Sequence, residues 1–238
     1  MVTDKISHSI FKRFSKDQIV LLEPILSFKI NIIYFDLDQV LSNTEESVIA
    51  EFDRRVGTNY FQQGRKIDQW RSLQAWAVND KKLPKDDAYK LESELWTDSS
   101  TLNKALPYEQ LKLFSMEAQD AKVEQGVVSS RIYELLDDTL EWIGFHYPWI
   151  PKQNIYSRSK KESQIEGVVF KADTLTNVRP DVYFEDDLYH VEILLKRTNK
   201  FPIVYFPRKM DAGKVKDNRV IEFTGGISEF GLLYKYMK

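Results

Sequence analysis

The sequence predicts an α/β protein in which helices cover both faces of a parallel sheet. Short, uniformly apolar runs recur along the chain, as in strands that are buried on both faces. Stretches with helical spacing lie between them, such as 132–143 and 188–196, and strands that alternate with helices are typical of a parallel sheet with crossover helices. The apolar runs are 31–35, 126–128, 181–184, 202–206 and, more weakly, 219–223.

Composition limits the classes of partner. A net charge of −2 and a pI of about 6.0 give no global field for nucleic acid or anionic membrane, so an anionic ligand must be bound at a local site. We therefore expect no extended nucleic-acid surface. The absence of cysteine excludes disulfides, thiolate zinc sites and a cysteine nucleophile. The first residues lack the apolar core of a secretory signal, and no run approaches the roughly 20 apolar residues that span a bilayer. We expect a cytoplasmic protein with no membrane contact.

The pattern divides the chain into three parts. Residues 1–29 form an N-terminal helical extension, 30–44 and 114–238 form the α/β core, and 45–113 form a helical cap inserted after the first strand. Helical spacing and frequent aromatic residues dominate the cap, where no convincing strand is found. Two interpretations of the extension remain open: a docking or homodimer helix, or an amphipathic helix that covers the edge of the core.

Polar residues follow the apolar runs at the points where the predicted strands end. The carboxyl ends of successive parallel strands meet at one crevice, where open α/β sheets bind ligands. Several carboxylates in one crevice repel each other, and a hard divalent cation such as Mg²⁺ removes that conflict. The residues concerned are Asp36, Asp38, Ser129, Ser130, Glu185, Asp186 and Asp187.

Four segments resemble, in order, the four motifs of the haloacid-dehalogenase-like (HAD) phosphohydrolases. They are the Asp-Leu-Asp segment 34–44, the strand and serines of 127–130, Lys171 at a helix start, and the strand with paired acids of 181–187. The resemblance covers about two thirds of the chain and implies a Rossmann-like core. Segments 106–114 and 141–155 are loosely similar to the 5′(3′)-deoxyribonucleotidase branch.

The resemblance implies a role for each motif residue. Asp36 is expected to attack phosphorus and form an aspartyl-phosphate, and Asp38 to act as general acid and base. Ser129 is expected to donate to a phosphoryl oxygen, and Lys171 to neutralise developing charge. Lys160 and Lys161 also precede the fourth motif and are the alternatives to Lys171.

The resemblance also implies a magnesium ion. Its expected ligands are Asp36, the backbone carbonyl of Asp38 and a carboxylate of the Glu185–Asp186 pair, of which Asp186 is the first choice. The sequence departs from the family at Gln39, where phosphatase members commonly have glycine. Glutamine adds a side chain near the entrance of the site and leaves the carboxylate chemistry intact.

The position of the cap favours a small phosphorylated substrate, a nucleotide in particular. A cap placed over the crevice excludes water, and aromatic side chains stack on nucleobases. We select Phe61, Trp70, Arg71 and Ser130 as candidate substrate-binding residues. Against this, aromatic residues at helical spacing are usually core, and Ser130 also fits a helix cap. Three alternatives remain: another small phosphate ester, a polynucleotide end, or a non-catalytic binding module with the same fold.

Overall fold

The computed structural model describes residues 12–68, 71–198 and 200–237. Short 3-10 turns lie at Tyr133–Leu135, Lys152–Asn154 and Glu162–Gln164. The longer elements are, in chain order, α1 (Lys16–Leu26), β1 (Ile32–Phe35), α2 (Thr44–Val56), α3 (Ser72–Lys81), α4 (Lys85–Leu95), α5 (Ser99–Leu102), α6 (Glu109–Asp120), β2 (Glu124–Val128), α7 (Leu136–His146), β3 (Ile155–Tyr156), α8 (Gly167–Val178), β4 (Val182–Glu185), α9 (Leu188–Arg197), β5 (Ile203–Tyr205), β6 (Val220–Glu222) and α10 (Gly226–Met237).

The six strands form one parallel sheet in the order β3-β2-β1-β4-β5-β6. This confirms the predicted α/β fold. In the central register Phe35 of β1 lies opposite Val127 of β2 and Phe184 of β4. The chain moves outward from β1 to β3 on one side and from β4 to β6 on the other. A crevice therefore opens between the carboxyl ends of β1 and β4, where such sheets bind ligands.

Alternate strand residues enter two different cores, which explains why the strand sequences are apolar throughout. Phe35, Phe184 and Val204 are buried on one face. Tyr34 and Tyr183, one residue earlier on β1 and β4, are buried on the other. Side chains of a strand alternate between faces, so a strand covered on both sides needs apolar residues at consecutive positions.

Helices α2 to α5 lie between β1 and β2 and share a hydrophobic core of their own. Phe52, Leu73 and Leu95 are fully buried there. Helix α6 instead packs against the sheet through Leu111 and Phe114, and it crosses the expected cap boundary at residue 113. The unit over the crevice is thus built from α2 to α5.

The described part of the N-terminal extension is α1, which begins with a capping box formed by Ser15 and Gln18. Its buried residues Leu22, Ile25 and Leu26 join the core on one face of the sheet. Residues 1–11 lie outside the described residues. Among the residues that are described, no helix has the length and apolar character needed to cross a membrane.

Candidate active site

Asp36 lies directly after β1, at the crevice between β1 and β4. Its backbone N–H donates to the Phe184 carbonyl at 2.9 Å, which continues the pairing of these strands by one residue. The chain then turns sharply: Leu41 and Ser42 both donate to the Leu37 carbonyl. The side chain of Asp36 is therefore held at the end of the central strand, and it is 5% exposed.

A buried ammonium group lies beside this carboxylate. Lys171 on α8 is fully buried, and its Nζ lies 2.9 Å from Asp36 Oδ1 and 3.0 Å from Glu185 Oε2. Burial alone would lower the pKa of Lys171, but the charges of Asp36 and Glu185 outweigh it and raise the pKa. The lysine is consequently charged at neutral pH. Lys160 and Lys161, the alternatives considered for this position, are both exposed.

Asp36, Glu185 and His190 place ligand-type atoms within 4.8 Å of one another. The Lys171 ammonium fills the middle of this group, because His190 Nδ1 also lies 3.0 Å from Nζ. We term Asp36, Glu185 and His190, which surround the Lys171 ammonium, the lysine cage. A cation of the protein itself occupies the cage, so we do not assign a metal to it.

Both oxygens of Glu185 accept hydrogen bonds from the protein. Oε2 accepts from Lys171 and from the Tyr183 hydroxyl at 3.1 Å. Oε1 accepts from the backbone N–H groups of Asp186 at 3.1 Å and Asp187 at 3.2 Å. In this structure Glu185 is bonded to Lys171, to Tyr183 and to two backbone N–H groups, and its predicted part in metal binding stays a prediction.

Asp186 has different surroundings from Glu185. It is 7% exposed, and the nearest guanidinium nitrogen, Arg208 Nη2, lies 4.0 Å from its Oδ2, beyond hydrogen-bond distance. Burial and the neighbouring Glu185 carboxylate raise the pKa of Asp186, and they also raise the pKa of Asp36 although Lys171 opposes this. Two crowded oxygen donors of this kind fit a hard divalent cation such as Mg²⁺.

Asp38 forms an ion pair with Arg131, a residue that the sequence analysis did not select. Arg131 is 6% exposed, and its Nη2 and Nε donate to the two carboxylate oxygens of Asp38 at 2.7 and 3.0 Å. Thr44 Oγ1 donates to the same carboxylate at 2.6 Å. Burial alone would raise the pKa of Asp38, but Arg131 and the hydrogen bonds outweigh it and lower the pKa. Asp38 is thus ionised here, the form that accepts a proton.

The two serines after β2 occupy different places. Ser129 is fully buried, donates through its backbone N–H to the Tyr156 carbonyl, and accepts from the Arg131 N–H at 3.2 Å. Ser130 lines the cavity above Asp36. The run Ser-Ser-Arg that follows β2 was the available signal for Arg131.

A cavity of about 750 Å³ lies over Asp36, Asp38 and Asp186. Trp96 of the cap also lines this cavity. A second cavity of about 810 Å³ lies between cap residues 64–68 and the loops after β5 and β6. Gln39 and Asp186 line both cavities.

The structure separates two of the cap residues that were chosen as substrate contacts, Phe61 and Arg71, from the carboxylates. Phe61 lines another cavity of about 310 Å³, which contains neither Asp36 nor Asp38. Arg71 stacks on Tyr89, with its guanidinium carbon 4.1 Å from the ring centroid. Neither lines the cavity over Asp36. Trp70 lies outside the described residues.

Comparison with known proteins adds two findings. Residues 30–197 match the model of the family "5′ nucleotidase, deoxy (Pyrimidine), cytosolic type C protein". That segment contains every catalytic and metal-binding candidate named above. No curated protein sequence matches the chain.

The fold of this chain is similar to that of several solved structures. One is a predicted phosphatase from Clostridium acetobutylicum, with 11% identity, 85% of this chain and 96% of that chain covered, and a TM-score of 0.53. Another is Protein Tyrosine Kinase A of Mycobacterium tuberculosis, with 15% identity, 84% and 96% covered, and a TM-score of 0.54. At such identities the likeness concerns the fold alone.

Proposed function

The chain belongs to the deoxy (pyrimidine) 5′ nucleotidase, cytosolic type C family of HAD-like phosphatases, and we propose that it is a magnesium-dependent phosphomonoesterase that acts on a nucleoside monophosphate through an aspartyl-phosphate. The observation that carries the proposal is the pairing of Asp36 with Lys171. A carboxylate at the end of the central strand, with a buried ammonium 2.9 Å away, suits attack on a dianionic ester.

In this mechanism Asp36 attacks phosphorus and the alcohol leaves. Lys171 offsets negative charge that develops on the phosphoryl oxygens, and Glu185 and His190 hold the ammonium in place. The second step is attack of water on the aspartyl-phosphate, which releases phosphate and restores Asp36. The donor to a phosphoryl oxygen was expected to be Ser129, but Ser129 is fully buried and does not line the cavity, so we assign this role to Ser130, which does.

Asp38 is the proposed proton carrier. It gives a proton to the leaving oxygen in the first step and takes one from water in the second. Because Arg131 holds Asp38 in the ionised form, the proton-accepting half of this cycle is favoured before substrate arrives. As the ester binds and weakens the contact with Arg131, Asp38 first takes a proton from solvent, and it passes this proton to the leaving oxygen.

The residues that would hold magnesium are Asp36, Asp186 and the backbone carbonyl of Asp38. Such an ion supplies charge stabilisation to the phosphoryl oxygens. Glu185, which the sequence analysis included as a ligand, is assigned to Lys171 because protein donors already occupy both of its oxygens. The family match supports a nucleotide as substrate, and the cavity of about 750 Å³ has the size of a small-molecule site.

A phosphatase screen tests the proposal. Purified protein is assayed with Mg²⁺, and after exhaustive chelation, on deoxynucleoside monophosphates, sugar phosphates and phenyl phosphate. We expect Mg²⁺-dependent release of phosphate, fastest from a nucleotide. Absence of hydrolysis on every ester would favour the non-catalytic binding module, and hydrolysis that persists after chelation would refute the magnesium assignment.

A further inference from the structure

His190 contacts the Lys171 ammonium through its ring nitrogen Nδ1. This atom lies 3.0 Å from Lys171 Nζ and 3.4 Å from Glu185 Oε2. Lys171 is the better partner, because it is nearer and because Oε2 already accepts from Lys171 and from the Tyr183 hydroxyl. An ammonium group has three N–H donors and no acceptor. His190 Nδ1 therefore accepts a hydrogen bond from Lys171 and carries no proton of its own.

This hydrogen bond fixes the tautomer of the His190 ring. A neutral imidazole has one N–H, and when Nδ1 is the acceptor the proton is on Nε2. A ring with protons on both nitrogens would turn an N–H towards the ammonium, so it does not fit the contact. The contact with Lys171 thus places an N–H donor on the opposite side of the ring.

The Nε2–H group of His190 is free to bind a ligand. Within the described ranges no residue accepts from it, and it is not one of the buried atoms that lack a partner. The His190 side chain is 17% exposed, and it lines the cavity over Asp36 together with Ser130. Ligand-type atoms of His190 and Asp36 lie within 4.8 Å of each other, so a phosphoryl group at Asp36 is within reach of the ring.

We infer that His190 is a catalytic residue whose Nε2–H donates a hydrogen bond to a phosphoryl oxygen of the ester that Asp36 attacks. The inference rests on the proposed function and adds a donor that lies outside the four motif segments. His190 keeps its proton throughout, so its part is to bind and orient the phosphoryl group. Hydrogen bonds to a charged oxygen are among the stronger ones, which suits this role.

The alternative is that His190 only holds Lys171 in place through Nδ1. Two substitutions distinguish these roles, because the amide of asparagine overlies Nδ1 and that of glutamine reaches the position of Nε2. His190→Asn keeps an acceptor for Lys171 and removes the donor to the ligand. His190→Gln keeps a donor and removes the acceptor. The matched controls are His146→Asn and His146→Gln on α7, since His146 lines none of the three cavities described above.

Binding of inorganic phosphate to the Mg²⁺-loaded protein is measured by calorimetry. We expect His190→Asn to raise the Kd for phosphate by about 10-fold or more, the effect of losing one hydrogen bond to a charged group. Its kcat/KM for phenyl phosphate should fall by a similar factor. His190→Gln should bind phosphate within about threefold of wild type. Both His146 variants should stay within about twofold.

The tautomer is measured directly by NMR on protein labelled with ¹⁵N-histidine. The chain has three histidines, and the spectrum of His190→Asn identifies the ring signals of His190 by their loss. In the wild-type protein we expect a proton on Nε2 and none on Nδ1. Addition of inorganic phosphate and Mg²⁺ should shift the Nε2 signal. This measurement does not depend on turnover.

Three results would overturn the inference and leave the proposed function standing. The first is a proton on Nδ1 of His190. The second is the reverse order of the variants, with phosphate affinity kept in His190→Asn and lost in His190→Gln, which would leave His190 only as a support for Lys171. The third is an equal change, or no change, in both variants. If the wild-type protein hydrolyses no ester and binds no phosphate with Mg²⁺, the proposed function itself fails, and the inference fails with it.

Discussion

Arg131 and Asp38 form a bidentate ion pair. Arg131 Nη2 and Nε lie 2.7 and 3.0 Å from the two carboxylate oxygens of Asp38. Side-by-side contacts of this kind fix orientation as well as charge. The side chain of Arg131 is 4% exposed and that of Asp38 is 29% exposed, so the pair stands at the boundary between protein and cavity. Arg131 therefore controls both the direction and the protonation of the proposed proton carrier.

Replacing Arg131 by methionine should lower kcat by about 10- to 100-fold, because Asp38 loses its orientation and its counter-charge. Arg131→Lys keeps the charge but cannot contact both carboxylate oxygens. Its kcat should therefore lie between that of wild type and that of Arg131→Met. Thr44→Val, which removes one hydrogen bond to the same carboxylate, is the milder control. Steady-state kinetics on phenyl phosphate measure the series. A kcat of Arg131→Met equal to that of wild type would contradict the role given to this pair.

Asp36→Asn should abolish turnover, by about 10³-fold or more, since an amide is a poor nucleophile. The melting temperature should change little, because the variant relieves repulsion with Glu185 but also weakens the contact with Lys171. Phosphate release and thermal melting are measured on one preparation. Substantial residual turnover in a folded variant would refute the covalent mechanism.

Glu185→Gln and Asp186→Asn should differ in whether kcat or the Mg²⁺ requirement changes. Glu185→Gln disturbs Lys171, so kcat should fall by about 10- to 100-fold while the Mg²⁺ concentration for half-maximal activity stays within twofold. Asp186→Asn removes a proposed ligand, so that Mg²⁺ concentration should rise by about 10-fold or more. Titration of activity with Mg²⁺ separates the two. The reverse pattern would return Glu185 to the metal site.

A pH-dependent contribution to stability is expected in the cap. Hydrogen bonds from Arg54 to Glu51, opposed by burial and aided by Arg55, lower the pKa of Glu51 to about 2. The ionised form is thus stabilised in the folded cap. That contribution is complete above the ordinary pKa of 4.5 and is lost as the pH falls from there towards 2.

Glu51→Gln should therefore destabilise the protein at pH 7 by about 1 kcal/mol, a value kept small because Arg54 is largely exposed. The difference from wild type should narrow as the pH is lowered from 4.5 to 3. Urea unfolding at several pH values measures it. The exposed Glu46→Gln on the same helix is the control. A difference independent of pH would show that Glu51 acts through packing and not through charge.

The strands and the residues at their ends could be predicted because each signal is local. An apolar run followed by Asp36 or by Glu185 is visible in a short window of sequence. The strand β3 was missed, since two residues, Ile155–Tyr156, leave no pattern to recognise. It is recognisable only from its parallel pairing with Val127 and Val128 of β2.

The contacts of the site were harder to predict, because they join residues that are far apart in the sequence. Arg131 lies 93 residues from its partner Asp38. The cap aromatics fail for a different reason: helical spacing shows that a helix has a buried face and does not show what covers it. Tyr60 and Trp76 pack against each other, with ring centroids 5.4 Å apart, inside or beside the cap core. Trp96, which lines the same cavity as Asp36, has no local sequence feature that distinguishes it from them.

The lysine cage determines when, during synthesis of the chain, the active site can be assembled. The cage residues follow β1 or lie on β4 and α9, and the lysine that they surround lies on α8, so Asp36 is made early and His190 late in the growing chain. A nascent chain that ends before Glu185 contains Lys171 and Asp36 but lacks the Glu185 carboxylate that pairs with the lysine. Chemistry at Asp36 therefore has to wait for the second half of the sheet, and a truncated product that ends in the cap or in α8 carries the nucleophile but no assembled centre.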